Sequence, residues 1–308
     1  MDLVFEIGTE ELPASFQRPA VEWMRETLLG GLREARLLDA GAGELRTFAT
    51  PRRLALTLRG IAAKAPDVVK LVQGPPVKTA FGPDGKPTKA AEGFAKKLGV
   101  NVTDLKPDAA NERVVVEQQL RGQTALEALP PLLDRLTAQL PFRKVMRWGD
   151  GAAAFARPVH WLAATLDGAP LAVAYADVKS GAAIRGHRFH SPAEFALPSA
   201  ADYLDTLRNH HVLADWDERK ARIWAEVKRA AAEFGPGAEP LPDEELLETV
   251  TGLVEEPTGV IGRFAAHFLE LHPKSWSRRC AATRSTSPSA TPRPASCCPP
   301  SSPSATPR

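Results

Sequence analysis

The chain opens on "DLVFEIG", where Leu3, Phe5 and Ile7 fall on alternate positions; this period of two predicts a strand that ends at Gly8. From Ser15 to Leu38 the period lengthens. Phe16, Ala20, Trp23, Leu28 and Leu32 share one helical face, with Ser15 as the expected cap and Gly30-Gly31 costing about 1 kcal/mol each relative to alanine. "ELRTFATPRRLALTLRGI" predicts two strands turning at Pro51. Residues 73–88, dense in Gly and Pro, predict a loop, and "KAAEGFAKKLG" a helix stopped by Gly99. "NERVVVEQQL" predicts a strand, and "TALEALPPLLDRLTAQL" a helix interrupted at Pro130-Pro131. Strand patterns dominate from Pro141 to Phe189, in "KVMRWG", "RPVHWLAATLDG", "PLAVAYADV" and "AAIRGHRF". Beyond Ser191 the pattern turns helical, in "ADYLDTLRN", "DERKARIWAEVKRAAAEF" and "DEELLETVTGLV". No internal repeat is visible.

This order predicts an α+β fold with a mixed or antiparallel sheet rather than a doubly wound parallel one. The expected division is an α+β region over 1–195, a mainly helical continuation over 196–272, and a tail over 273–308. The tail is rich in Ser, Pro, Ala, Arg and Thr and lacks Val, Ile, Leu, Met and Phe, a composition that cannot bury enough apolar surface to order itself.

Charge changes the picture once the tail is set aside. The whole chain has 39 Lys and Arg against 37 Asp and Glu, but the tail holds 6 of the cations and none of the acids, which leaves 33 − 37 = −4 for residues 1–272. All three cysteines, Cys280, Cys297 and Cys298, also lie in the tail. The body thus has no thiol for a disulfide, a metal site or a nucleophile, which suits a reducing, cytosolic setting. The opening is too acidic and its apolar run too short for a signal peptide, and no stretch reaches the ~20 apolar residues of a membrane span.

Two stretches gather cations beside aromatics. One is "FRKVMRWGDGAAAFARPVHW", with Arg143, Lys144, Arg147 and Arg157; the other is "AAIRGHRFH", with Arg185 and Arg188. On a strand, Arg143, Val145 and Arg147 would share one face, suited to phosphates by charge and bases by stacking. The bland alternative pairs these arginines with surface carboxylates and puts the aromatics in the core. His187 and His190, three apart in strand-like sequence, would point to opposite faces and make a poor metal pair; His210-His211 should be solvated at a helix end. Glu10 and Glu11 are expected to favour the first turn of the following helix rather than act as acid or base. "GPDGKPT" lacks P-loop spacing. No catalytic or metal-ligating set is expected.

The motifs together say more. "LVFEIGTEELP", "TPRRLA", "PTKAAEGFA", "FRKVMRWG", "RPVHWL", "GHRF" and "LVEEPTGVIGRFAAHFLEL" stand in an order that closely resembles the beta subunit of the bacterial heterotetrameric glycyl-tRNA synthetase, from Leu3 to Leu271. The resemblance implies a chain that binds tRNA(Gly) and a catalytic alpha subunit within an α2β2 ligase. ATP, with magnesium, would be used by the alpha subunit, and no cofactor is expected on this chain. It also implies a module similar to the B3/B4 type, followed in the family by helical and anticodon-binding domains. Arg143, Lys144, Arg147, Arg157, Arg185 and Arg188 become candidates for the RNA or alpha-subunit surface. The remaining alternatives are a stand-alone RNA-binding module and a non-functional truncated product.

After "FAAHFLEL" the family pattern continues through a segment of the type M-x-x-H-x-x-Y-F, whereas this chain runs into its tail. Back-translated and read one frame over, "PKSWSRRCAATRSTSPS" permits "QELVAAMRRHPKYFTLR". The expectation is a frameshift near His272 and an out-of-frame tail; the rival is a basic RNA-binding arm. The nucleotide sequence around the His272 codon separates the two.

Overall fold

The computed structural model describes residues 1–38, 43–82, 85–108, 112–148, 151–235 and 237–262. Strand β1 (Leu3–Thr9) leads into helix α1 (Ala14–Glu34), and the hairpin β2 (Glu44–Thr50) and β3 (Arg53–Arg59) turns at Pro51-Arg52. An inserted unit follows: β4 (Val68–Pro76), α2 (Val77–Ala80), α3 (Lys89–Leu98), β5 (Lys106–Pro107) and β6 (Arg113–Leu120). The chain returns through α4 (Ala125–Ala138), the short pair β7 (Met146–Arg147) and β8 (Ala154–Phe155), and then β9 (Val159–Leu166). Short strands β10 (Ala169–Pro170), β11 (Ala174–Tyr175), β12 (Val178–Gly181), β13 (Ala183–Arg185) and β14 (Glu194–Ala196) precede helices α5 (Tyr203–Asn209), α6 (Trp216–Phe234) and α7 (Glu244–Thr251).

The main sheet runs β11-β12-β9-β1-β3-β2, with β10 beside β9. Its pairings are antiparallel except for β12 on β9, so the sheet is mixed. Period-two alternation gives this sheet two apolar faces. Leu3, Phe5 and Ile7 join Leu54, Leu56, Leu162 and Ala164 under α1 and α4, where Met24, Leu28, Leu32, Leu129 and Leu133 complete the larger core. Val4, Ala55, Trp161 and Ala163 face the other way, against Ile184, Tyr203, Leu207, Val212 and Ala214. Helical and loop segments therefore cover both sides of the central strands. The insertion has its own core, in which Ala80, Ala91, Ala95, Val114 and Val116 pack beneath the three-stranded sheet β4-β6-β5.

Several elements depart from the sequence expectations. Ser15 does not cap α1; Pro13 precedes the helix, with no side-chain cap. Residues 73–88 are not simply a loop, because Gln73–Pro76 complete an edge strand and Val77–Ala80 make a helical turn. Gly74 lets this strand approach its helix, since a Cβ there would lie 2.6 Å from the Phe94 ring. Helix α4 runs unbroken through Pro130 and Pro131. Each internal proline costs about 3 kcal/mol, but α4 buries Leu129, Leu132, Leu133 and Leu136, at about 1.5–3 kcal/mol each, and Thr124 with Glu127 forms a capping box at its start. "KVMRWG" contains only the two-residue β7, so Arg143, Val145 and Arg147 do not share a strand face.

Candidate functional site

The second face of the sheet holds a buried ionic network that the sequence did not announce. Glu6, fully enclosed in the middle of β1, accepts from Trp161 Nε1 at 2.8 Å, from the Tyr203 hydroxyl, and from Arg53 Nη1 at 3.3 Å. Arg53 reaches on from the start of β3, donating through Nε to Glu255 at 3.4 Å and through Nη2 to the Arg185 carbonyl at 2.8 Å. Glu255 also accepts from the Thr50 hydroxyl at 2.6 Å. A second enclosed guanidinium, Arg219 of α6, donates to the carbonyls of Ala49, Ala214 and Thr251. Two buried carboxylates thus balance two buried guanidiniums. Burial alone would push both guanidiniums down; Glu6 and Glu255 more than reverse this for Arg53, whereas Arg219, facing mostly neutral carbonyls, is pushed down to about 10.

Gly8 sets the height of the floor above this network. A Cβ at Gly8 would lie 1.9 Å from the Trp161 ring, so only glycine allows the indole to lie flat on β1. Just beyond Gly8, three peptide links bring distant segments together: Thr9 N donates to the Arg52 carbonyl, Glu10 N to that of Pro158 and Leu12 N to that of Pro51.

Glu10 and Glu11 stand on this ledge. They do not support the first turn of α1, which contains no acidic residue. Instead Arg188 forks across them, Nη2 to Glu10 and Nη1 to Glu11, each at 3.0 Å. His160 Nε2 lies 3.1 Å from Glu10, and Arg157 donates through Nε to the Glu11 carbonyl at 3.2 Å. Partial burial raises the Glu10 carboxyl, but His160, Arg188 and Arg52 outweigh it and hold the group below its usual range.

The histidines also differ from expectation. Residues 187–190 form a turn rather than a strand, and the rings of His187 and His190 stack with centroids 4.5 Å apart instead of pointing to opposite faces. His211 adds a third ring 5.4 Å from His190 and lies 2.8 Å from Glu256. Burial pushes His187 down. His211 is exposed as expected, while His210 stacks on Phe195 at 3.7 Å. Among the described residues, no group of His, Cys, Asp or Glu is arranged to hold a metal ion, and no helix is long and apolar enough to cross a membrane.

The six candidate cations fall into two groups. Arg185, Arg188 and Arg157 belong to the face just built, with Arg185 also paired to Glu194 at 2.8 Å. Arg143, Lys144 and Val145 lie on an exposed loop that leads into β7, where Met146 and Arg147 are also exposed, and the three cations make no ion pair among the described residues. Phe142 and Trp148 anchor that loop to the α1/α4 core, on the other side of the sheet from Trp161.

The segments that build the face are the short motifs "GTEELP", "TPRRLA", "RPVHW", "GHRF" and "VEEPTG", far apart in sequence and joined by the contacts above. The family model of the glycyl-tRNA synthetase beta subunit matches residues 3–276. The chain belongs to that family. It is 45% identical over 276 residues to the glycine–tRNA ligase beta subunit of Anaeromyxobacter dehalogenans (strain 2CP-C), covering 89% of this chain and 39% of that relative. Against the beta subunit of Myxococcus xanthus the identity is 42% over 275 residues, with 89% and 38% covered; against that of Geobacter sulfurreducens it is 42% over 272 residues, with 88% and 39% covered. The chain therefore spans about two fifths of the length of these glycyl-tRNA synthetase beta subunits. The segment expected to be out of frame, 273–308, lies outside the described residues.

Proposed function

We propose that this chain serves a cytoplasmic glycine–tRNA ligase as the subunit that holds tRNA(Gly) and the catalytic alpha subunit, within an α2β2 assembly. It supports attachment of glycine without performing the chemistry; the alpha subunit carries the aminoacylation site and uses ATP with magnesium. The observation that carries this reading is the family match across residues 3–276. The electrostatics agree with it. The buried acids Glu6 and Glu255 are held by structural donors, Glu6 through both oxygens and Glu255 through Oε1. Arg143, Lys144 and Arg147 are solvent-facing cations with no carboxylate to neutralise them among the described residues, and such groups attract a polyanion or an acidic partner surface.

Mixing the full chain with alpha subunit, tRNA(Gly), ATP and glycine tests the reading. Aminoacylation above the level of the alpha subunit alone supports it. Retention of tRNA without any gain in aminoacylation reduces the chain to an RNA-binding module, and the absence of both contradicts the proposal.

A further inference from the structure

We propose that Arg52, Arg188 and Phe189 form a seat for one phosphodiester and the adjoining unpaired base of a single-stranded RNA segment. The inference rests on the RNA-binding reading above and adds to it a position and a mode of contact.

Arg52 and Arg53 are neighbours at the β2/β3 turn with opposite fates. Arg53 turns inward and is matched by Glu6 and Glu255, whereas Arg52 lies half-buried over the indole of Trp161, 5.9 Å from its centroid. The Arg52 guanidinium makes no hydrogen bond or ion pair among the described residues, and its Nε is enclosed without an acceptor. Arginines elsewhere on this side of the sheet are engaged: Arg46 with Asp215, Arg185 with Glu194, Arg188 with Glu10 and Glu11. An enclosed N–H without an acceptor is costly to keep, and burial first, then the like charge of Arg188, pushes Arg52 down against the opposing pull of Glu255 and Glu10.

The local charge leaves room for an anion. Arg52 and Arg188 face Glu10 and Glu11, Glu255 acts on Arg52 while engaged by Arg53 and Thr50, and Arg157 spends its Nε on a backbone carbonyl, so no acceptor reaches Arg52 itself among the described residues. An oxyanion meeting the terminal nitrogens of Arg52 and one edge of Arg188 would receive charge-assisted hydrogen bonds from both.

Phe189 identifies the anion. It is 78% exposed, more than any other large apolar residue among those described, and it sits 5.8 Å from the Arg188 guanidinium. An exposed phenyl ring beside the Arg188 guanidinium fits single-stranded RNA, which is held by charge on its phosphates and by stacking of its bases. Duplex RNA buries its base faces and cannot use such a platform.

The test uses the full chain with a fluorescein-labelled tRNA(Gly) transcript and a labelled 12-nucleotide single-stranded RNA, read by anisotropy over a salt series. Arg52→Gln should weaken binding at least tenfold and lower the salt slope by about 0.7. Phe189→Ala should weaken it by about 5- to 150-fold, and Phe189→Trp should restore it. Lys97→Gln, on an exposed position of α3, should change nothing. Phe189 is exposed enough that its variants report on binding even if Arg52→Gln fails to fold. Parental affinity in Arg52→Gln and Phe189→Ala overturns the seat while leaving the RNA reading intact. Loss of alpha-subunit binding with unchanged RNA affinity also overturns it, in favour of a protein contact. If the parent chain binds neither RNA, the reading beneath the seat fails as well.

Discussion

Arg53 and Glu255 are 202 residues apart in sequence and meet at 3.4 Å with both side chains enclosed. The contact fastens the segment after α7 to the β2/β3 turn, and Arg219 does the same for α6 through the Ala49 carbonyl. Removing one member of a buried pair leaves an uncompensated charge at a cost of about 3–5 kcal/mol. Glu255→Ala should therefore lower the unfolding free energy by about 3 kcal/mol or more in urea titrations, and Thr50→Val, which removes one donor to Glu255, by about 1.5–3 kcal/mol. A loss below about 1 kcal/mol for Glu255→Ala, well short of what a stranded buried charge costs, would mean the contact does not hold the two segments together.

Tyr203 gives the network an optical signature. Burial holds its phenol well above the usual value of 10.0, and the Glu6 carboxylate adds to the effect. The folded state thus keeps a proton that the unfolded chain releases, so this contribution is complete below pH 10 and drains away as pH rises beyond it. Tyr175, the other tyrosine, is also raised by burial. Absorbance at ~295 nm, where tyrosinate reports, should stay flat through about pH 10 in the folded protein and rise with unfolding. Tyr203→Phe should cost about 1.5–3 kcal/mol at neutral pH.

The histidine cluster sets an acid limit. Burial lowers His187, with Glu255 and Glu256 opposing and His190 and His211 reinforcing the shift. A depressed histidine leaves stability intact above its unfolded value near 6.5, and that stability is lost as pH falls through the lower folded value. His187 Nδ1 accepts from the amides of Phe189 and His190, and an asparagine oxygen can replace that acceptor. Denaturation midpoints between about pH 7.5 and 5 should fall less steeply for His187→Asn than for the parent. Identical slopes would mean that His187 plays no part in the acid limit.

Helix α4 carries a removable cost. Pro131 is exposed, cannot donate a backbone hydrogen bond, and sits between the buried Leu129 and Leu132. Pro131→Ala should stabilise the chain by about 1–3 kcal/mol in thermal or urea unfolding. A neutral or negative effect would mean the proline ring has a packing role of its own.

The elements were legible wherever one period dominated. Leu3, Phe5 and Ile7 marked β1, Gly99 marked the end of α3, and Pro51 marked the hairpin turn. The fate of Glu6 was not legible. A glutamate amid an apolar strand reads as solvent-facing only when one face of the sheet is open, and here α5 and its flanking loops close the second face. Partners drawn from residues 6, 53, 203 and 255 leave no periodic trace. The aromatic–arginine clustering singled out Arg157, Arg185 and Arg188 together with Arg143, Lys144 and Arg147, whereas the fold puts the first three beside Glu10, Glu11 and Glu194 and anchors the segment of the others to a different core. It passed over Arg52, whose significance lies in a missing partner that only three dimensions reveal.

Hydrogen exchange of the full chain, alone and with tRNA(Gly) or the alpha subunit, asks whether these surfaces meet a partner at all. Exchange should slow in residues 8–13, 50–53, 157–161 and 185–190, or in the 143–148 loop, with at least one of the two, and stay unchanged in α3. Unaltered exchange in every one of those segments with both partners would mean that neither the arginine face nor the cationic loop is a docking surface.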